Sequence, residues 1–385
     1  MIAGEHLGGG AQPGSGEHRT RTLNLALLAP CYWPEVRRGT ERFTRELATG
    51  LVARGHRPHL ITSHRGGPDR RNEDGLDVVR APRPPGAGRL RRRLFEDHLT
   101  HLPLSYALLR AESRDVAHAL HPVDGLATAR WSRATGRPSL LSYMGIPEAT
   151  WLDARRLRRD ITSTAAAGAS AVVALSQTVA AAFRFELGID PRVIAPGVDL
   201  EHFTPGGERS PEPTVFCAAS VTEPSKRVPD LVHAFARVRE QAPGARLVLS
   251  RPGDPAAERS VSEVAGVELI DVDDRGRLRD AYRSAWVTAL PSFGEAFGLV
   301  LVESMACGTP VVGRRAGAIP EVVRTQAVGR LFEGGEAELG GALLEALDLA
   351  GQPATAPACR ARAQDFSTQR CVAAYEALYR ELVDG

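Results

Sequence analysis

Three side chains stand out for the chemistry their types allow. Lys226 is the only lysine among the 48 lysines and arginines of this 385-residue chain. Glu295 and Glu303 lie eight residues apart in ALPSFGEAFGLVLVESMACGTPVVG, residues 289–313. The apolar run before them reads as a strand ending near Pro291, followed by a short loop with Gly294 and Glu295 and a helix beginning around Phe297 or Gly298. The first N–H groups of such a helix lack partners inside it, and they attract a diphosphate. Glu303, about two turns into that helix, can accept two hydrogen bonds from a ribose diol. Glu295 would sit at the mouth, nearer a sugar.

The elements that must position these groups follow from periodicity. From residue 23, short apolar runs (LNLALLAP, PHLITS, DVAHAL, PSLLSY, ASAVVALS) alternate with helix-length amphipathic segments. The alternation restarts after a Pro/Gly-rich bridge at 196–213, with strands expected at TVFCAA, ARLVLS, VELIDV, WVTAL and TPVVG. This pattern implies parallel sheets covered by helices on both faces. The economical α/β reading is a disordered tail at 1–22, a Rossmann-like unit at 23–195, a linker at 196–213, a second Rossmann-like unit at 214–365 and a helix at 366–385. That last helix carries Cys371, Tyr375, Leu378, Tyr379 and Leu382 on one stripe, which could cover either unit. Ligands of open α/β sheets bind beyond the carboxyl ends of the strands, so two facing units create a cleft.

Bulk properties exclude several classes. A formal charge of +2 is too small for a nucleic-acid binder working through bulk attraction. Five scattered cysteines without C-x-x-C spacing argue against a disulfide framework or zinc site. The Gly-rich N-terminus lacks the apolar centre of a signal peptide, and no run is long enough to span a membrane. A cytoplasmic protein with reduced thiols is expected. Arginines cluster at Arg89, Arg91, Arg92 and Arg93 and at Arg155, Arg156, Arg158 and Arg159, consistent with solvated helix faces or with a rim touching an anionic lipid.

The 291–312 stretch resembles the signature of retaining family-4 glycosyltransferases of the GT-B fold, P-S-x-x-E-G-F-G-x-x-x-x-E-A-x-A-x-G-x-P-V-V. Pro291, Ser292, Glu295, Phe297, Gly298, Glu303, Ala306, Gly308, Pro310, Val311 and Val312 match, while Ala296 replaces a glycine and Ser304 an alanine. In that family a lysine opening the first helix of the C-terminal domain contacts the donor diphosphate, and Lys226 with Arg227 falls at that place. A compact ammonium meets oxygens from several directions without the planar fork of arginine. The family's preceding arginine corresponds to Val221, and Arg251 is the nearby candidate to replace it. Met144 stands where a histidine usually approaches the donor sugar, which would suit a deoxysugar.

LLAPCYWPEVRRGTERF resembles the opening P-x-x-G-G-x-E-R segment, with Gly39 on the second glycine and Arg38 on the first. Glycine there lets backbone approach a phosphate, and Arg38 could bring a cation to the same cleft. DVAHALHPVDG resembles a D-V-V-H-x-H strand end, making His118 and His121 cleft candidates. VIAPGVDLEHFTP resembles the family's hinge, with Gly197, Asp199 and Phe203 retained, and AGAIPEVV supplies Gly317 and Glu321 near the donor. Asp271 and Asp273 spell D-x-D, for which helix capping is the better explanation, so no metal is expected. The resemblance implies transfer of a sugar from a UDP, GDP or dTDP donor to a small-molecule or glycan acceptor, with retention and no cofactor. The Arg/Ala-rich composition points to a GC-rich bacterial genome, and an acceptor in antibiotic assembly or in cell-envelope polysaccharide biosynthesis is open either way. A sugar-nucleotide epimerase of the same fold, or a non-catalytic sugar-nucleotide-binding subunit, are the alternatives.

Overall fold

The computed structural model describes residues 21–33, 35, 36, 39–83 and 95–385. Arg38, the Arg89 and Arg91–Arg93 cluster and residues 1–20 of the expected tail lie outside the described residues. The first sheet contains β1 (Asn24–Leu28), β2 (Arg57–His64), β3 (Asp69–Glu73), β4 (Leu76–Pro82), β5 (Val116–Ala119), β6 (Ser139–Tyr143), β7 (Ala171–Ala174) and β8 (Arg192–Val193). Its order is β3-β4-β2-β1-β5-β6-β7-β8, with only β3 antiparallel to its neighbour. The second sheet contains β9 (Thr214–Cys217), β10 (Arg246–Ser250), β11 (Val267–Ile270), β12 (Val287–Leu290), β13 (Val311–Arg314) and β14 (Gly329–Phe332). It is wholly parallel, in the order β11-β10-β9-β12-β13-β14.

Numbered within its own unit, the second sheet reads 3-2-1-4-5-6, the doubly wound Rossmann order. All ten strands expected from the apolar runs form. Sequence reading passed over β3, β4, β8 and β14. β3 (DRRNE) and β8 are charged or exposed edge pieces, and β14 is a four-residue edge strand, so none shows a sustained apolar run. The order reverses between β1 and β5 and again between β9 and β12. Loops leaving a sheet on either side of such a point diverge, and the gap between them opens at the strands' carboxyl ends.

Each unit closes on its own core. The helix Val228–Gln241 buries Leu231, Val232, Phe235 and Val238 on one stripe in the core of the second unit, with Pro229 in its first turn. The C-terminal helix Thr368–Asp384 starts where the Ser367 hydroxyl accepts from the Arg370 N–H. Its stripe of Cys371, Val372, Tyr375, Leu378 and Tyr379 packs on the first unit, resolving which domain it covers. Gly50 makes the approach close, because a Cβ there would stand 2.4 Å from Val372 Cγ2. The chain thus crosses between units twice, side by side. Val198 N–H donates to Phe366 O at 2.8 Å and Thr368 N–H to Val198 O at 3.0 Å. At that crossing a Cβ on Gly197 would lie 2.5 Å from Thr368 Cα, which keeps the position small.

Candidate active site

The loop between β12 and the helix Leu299–Ala306 is shaped by two glycines, Gly294 at φ 66° and Gly298 at φ 98°. Gly298 is the N-cap and offers no side chain to the helix, so no side chain caps the first-turn N–H groups. The helix begins at Leu299, later than Phe297, and Glu303 therefore stands one turn inside it rather than two. Phe297 turns its ring into the core against Phe366 at 5.2 Å. The loop is buttressed from below: Ala318 N–H donates to Glu295 O at 2.9 Å, and a Cβ on Gly317 would meet that oxygen at 2.5 Å. Ser304, where the signature has alanine, is accommodated by a hydroxyl bond to Thr288 Oγ1 at 2.8 Å.

Lys226 ends a short 3₁₀ turn, Pro224–Lys226, and reaches across to this loop. Its Nζ donates to Glu295 Oε2 at 2.8 Å, and Phe293 N–H donates to Ser225 O at 2.9 Å, tying the two loops together. Both side chains are partly open, Lys226 by 26% and Glu295 by 17%. Arg227 adopts a left-handed φ of 52° and turns its guanidinium to Asp230 at 2.9 Å. It does not line the crevice.

Glu303 is 4% exposed. Tyr282 O–H donates to its Oε2 at 2.8 Å, and Arg42, from the opposite domain, meets Oε1 at 2.9 Å. The Glu303 charge holds the Arg42 guanidinium above its usual range. Burial, and then that same charge, push the Tyr282 phenol well above its ordinary value. Two further contacts close the domains on one another. Arg275 meets Glu46 at 3.1 Å, and Glu321 accepts from the Gln177 N–H, Thr178 N–H and Thr178 hydroxyl at 2.9, 2.8 and 2.7 Å. Glu321 thus caps the N-terminal domain's helix Gln177–Leu187.

Between these contacts lies a crevice of about 640 Å³, walled by Gly39, Arg42, Phe43 and Met144 on one side and by Ala218, Lys226, Glu295 and Gly298 on the other. It adjoins a side pocket of about 150 Å³ bounded by Trp33, Arg42, Ser250, Val272 and Arg275. Gly39 opens the helix Gly39–Ala53, and a Cβ there would meet no atom of the described residues within 4 Å. A third cavity, of about 770 Å³, lies in the N-terminal domain beyond Trp33.

Several expected participants stand elsewhere. His118 is 1% exposed, joined through Nδ1 to Tyr379 Oη and through Nε2 to Ser142 Oγ, both at 2.7 Å. Burial lowers its pKa to about 3, and it links β5 and β6 to the C-terminal helix rather than facing the cleft. His121 accepts from Val123 N–H at the start of the helix Pro122–Thr135, and burial holds its pKa well down. Arg251 is exposed and is taken by Glu258 at 3.1 Å and Leu269 O at 3.1 Å. Asp274, one residue beyond the D-x-D, is the N-cap of Arg275–Ser284, while Asp271 accepts from Asp273 N–H and pairs with Arg277. Arg155, Arg158 and Arg159 are paired with Asp97, Glu96 and Asp153, and Arg156 sits over the Phe95 ring. Arg42 and Tyr282 are the functional candidates that sequence reading missed. Arg42 does occupy the last position of the G-x-E-R pattern, which is the signal that could have found it.

Residues 37–202 match the family described as Glycosyltransferase Family 4, and residues 212–348 match the one described as Glycosyl transferases group 1. The D-inositol 3-phosphate glycosyltransferase of Nocardiopsis dassonvillei is 31% identical over 302 residues, covering 68% of this chain and 69% of that one. The chain belongs to the family-4 glycosyltransferases. A second relative of the same description, from Actinosynnema mirum, is 37% identical over a shorter stretch, 37% of this chain and 39% of its own. Sucrose-phosphate synthase from Thermosynechococcus elongatus superposes with a TM-score of 0.80 at 22% identity, over 93% of this chain and 98% of the other. Anabaena HepE, in a structure holding UDP-glucose, gives 0.71 at 19%, over 92% and 100%. This glycosyltransferase therefore has the GT-B fold. No helix among its described residues is long and apolar enough to cross a membrane.

Proposed function

We propose that this glycosyltransferase moves a sugar from a nucleoside-diphosphate donor to an acceptor hydroxyl with retention at the anomeric carbon. The reading is carried by the Lys226–Glu295 pair at 2.8 Å beside a helix start that no side chain caps, inside an interdomain crevice. In the free enzyme the ammonium and the carboxylate neutralise each other. A donor exchanges the partners: the diphosphate takes Lys226 and the helix N–H groups, and the sugar hydroxyls take Glu295. Structures of HepE with UDP-glucose and with UDP support the same donor class here.

What lines the crevice supports retention. The described residues on the N-terminal wall of the crevice include Gly39, Thr40, Arg42, Phe43, Met144 and Leu175, none of them a carboxylate. An inverting attack would need a base there. Instead the acceptor oxygen bonds to the anomeric carbon on the face that the diphosphate leaves. As the carbon–phosphate oxygen bond breaks, the departing oxygen takes the acceptor proton. Lys226 stabilises charge that grows on that oxygen, so it acts most strongly in the transition state. No metal is required in this scheme, and EDTA is expected to leave turnover unchanged.

The names of the relatives support a phosphorylated cyclitol as acceptor, entering from the N-terminal cavity, in a cytoplasmic reaction of bacterial glycan or natural-product assembly. Met144 in the crevice wall favours a donor sugar lacking a hydroxyl at that point. The test is product analysis: the enzyme is incubated with UDP-, GDP- and dTDP-sugars and D-inositol 3-phosphate, and the anomeric coupling of the product is read by proton NMR. Inversion, or release of free sugar alone, would sink the reading.

A further inference from the structure

A diphosphate leaving group carries two or more negative charges, yet the resemblance leaves the C-terminal domain short of one cation, with Val221 where an arginine is expected. Arg251 points outward to Glu258, and Arg227 is held by Asp230. Among the described residues that line the crevice, the cations are Lys226 and Arg42. Arg42 springs from the first turn of the helix Gly39–Ala53, on the opposite wall. It borders both the main crevice and the side pocket, and so stands at their junction.

We propose that Arg42 is the second diphosphate-binding cation of this enzyme, delivered by the N-terminal domain and parked on Glu303 until a donor's ribose replaces it there. The inference rests on the nucleoside-diphosphate reading above. Glu303 is buried, and a buried carboxylate is costly without a compensating partner; in the free enzyme Arg42 meets it at 2.9 Å. A ribose diol brings two hydroxyl donors to the same carboxylate, beside the Tyr282 O–H. The released guanidinium then has a diphosphate within the same crevice. Because Arg42 belongs to one domain and Lys226 to the other, a bound diphosphate would be gripped from both sides, coupling donor binding to domain closure. A nucleoside alone would displace Arg42 without giving it a new partner, and should bind poorly.

The experiment is calorimetric titration with whichever of UDP, GDP, ADP and dTDP the wild type holds tightest, and with its nucleoside. Arg42→Gln is expected to weaken the diphosphate about 10- to 100-fold while leaving the nucleoside within about threefold or tightening it. Adding Val221→Arg should return most of the lost affinity, since it restores the cation from the other wall. Unchanged diphosphate affinity in Arg42→Gln, or equal weakening of both ligands, overturns the proposal and leaves the donor reading intact. A wild type that binds none of the four diphosphates overturns that reading and this inference with it. Should Arg42→Gln unfold by stranding a buried carboxylate, Glu303→Gln against Arg42→Gln/Glu303→Gln makes the same comparison without that charge. There the double variant is expected to prefer diphosphate over nucleoside about 10- to 100-fold less than the single variant does, Lys226 supplying what preference remains, and an equal preference in both overturns the proposal.

Discussion

Lys226 and Glu295 of the C-terminal domain meet one another at 2.8 Å and stay 26% and 17% open. In the N-terminal domain Arg80 and Arg158 are 7% open and each is bound by several groups: Arg80 by Glu73, Asp69 and Trp33 O, Arg158 by Glu96, Trp151 O and the Trp151 ring at 3.8 Å. A charge with one partner and an open face can exchange that partner for a ligand. A charge enclosed by several cannot do so without unfolding its surroundings. A cation and a carboxylate are therefore poised for exchange in one domain and fixed as architecture in the other, and exposure with partner number distinguishes them.

The comparison breaks first at Lys226. Lys226→Ala is expected to lower kcat about 100- to 1,000-fold, with a smaller change in donor KM and little change in Tm, because its contact strengthens as charge develops. A loss confined to KM would show that the ammonium only binds the ground state. Arg158→Met is the counterpart. It strands the buried Glu96 and should cost about 3 kcal/mol of stability while nucleotide affinity stays within about twofold. Thermal melts and titrations of both variants decide whether the two effects separate. Glu321→Ala tests an interdomain contact of intermediate kind. Removing a carboxylate from the start of Gln177–Leu187 should cost about 1 kcal/mol, seen as a lower Tm.

The same distinction explains what the sequence revealed. Eight of the ten apolar runs became strands buried on both faces, while β10 alternates between buried and half-buried positions and β11 lies half-open at the sheet edge. The 289–313 stretch kept its strand, loop and helix because Gly294 and Gly298 dictate the loop. Lys226 and Glu295 were found separately and meet because adjacent strands β9 and β12 carry their loops. The Arg42–Glu303 pair joins residues of different domains, and the double crossing at Val198 and Ser367, with the Arg275–Glu46 and Glu321–Thr178 contacts, sets their distance. No local pattern reports that. His118 misled for a related reason: β5 is buried on both faces, so alternation could not say that its ring turns toward Tyr375 and Tyr379. Arg251 misled because a strand-end arginine can turn either way, and Glu258 in the next helix draws it outward.

The finest test of enclosed against exchangeable charge is Glu46, which faces Arg275 across the domains at 3.1 Å. Burial raises its pKa from the ordinary carboxylate range to about 7, with the Glu303 charge adding to the rise and Arg275 opposing it. The folded protein therefore binds this proton more tightly than the unfolded chain. The associated stability is complete below the unfolded pKa near 4.5 and is lost as pH rises through about 7. Glutamine cannot ionise, so Glu46→Gln escapes that loss while giving up the ion pair with Arg275. The two effects oppose, and the gap in Tm between variant and wild type is expected to move in the variant's favour by about 1–3 °C from pH 5 to pH 8. A gap that stays constant, or shifts toward the wild type, would show that Glu46 remains charged across the range. It would then be held open by Arg275 like Glu295 by Lys226, and would belong with the exchangeable charges rather than the enclosed ones.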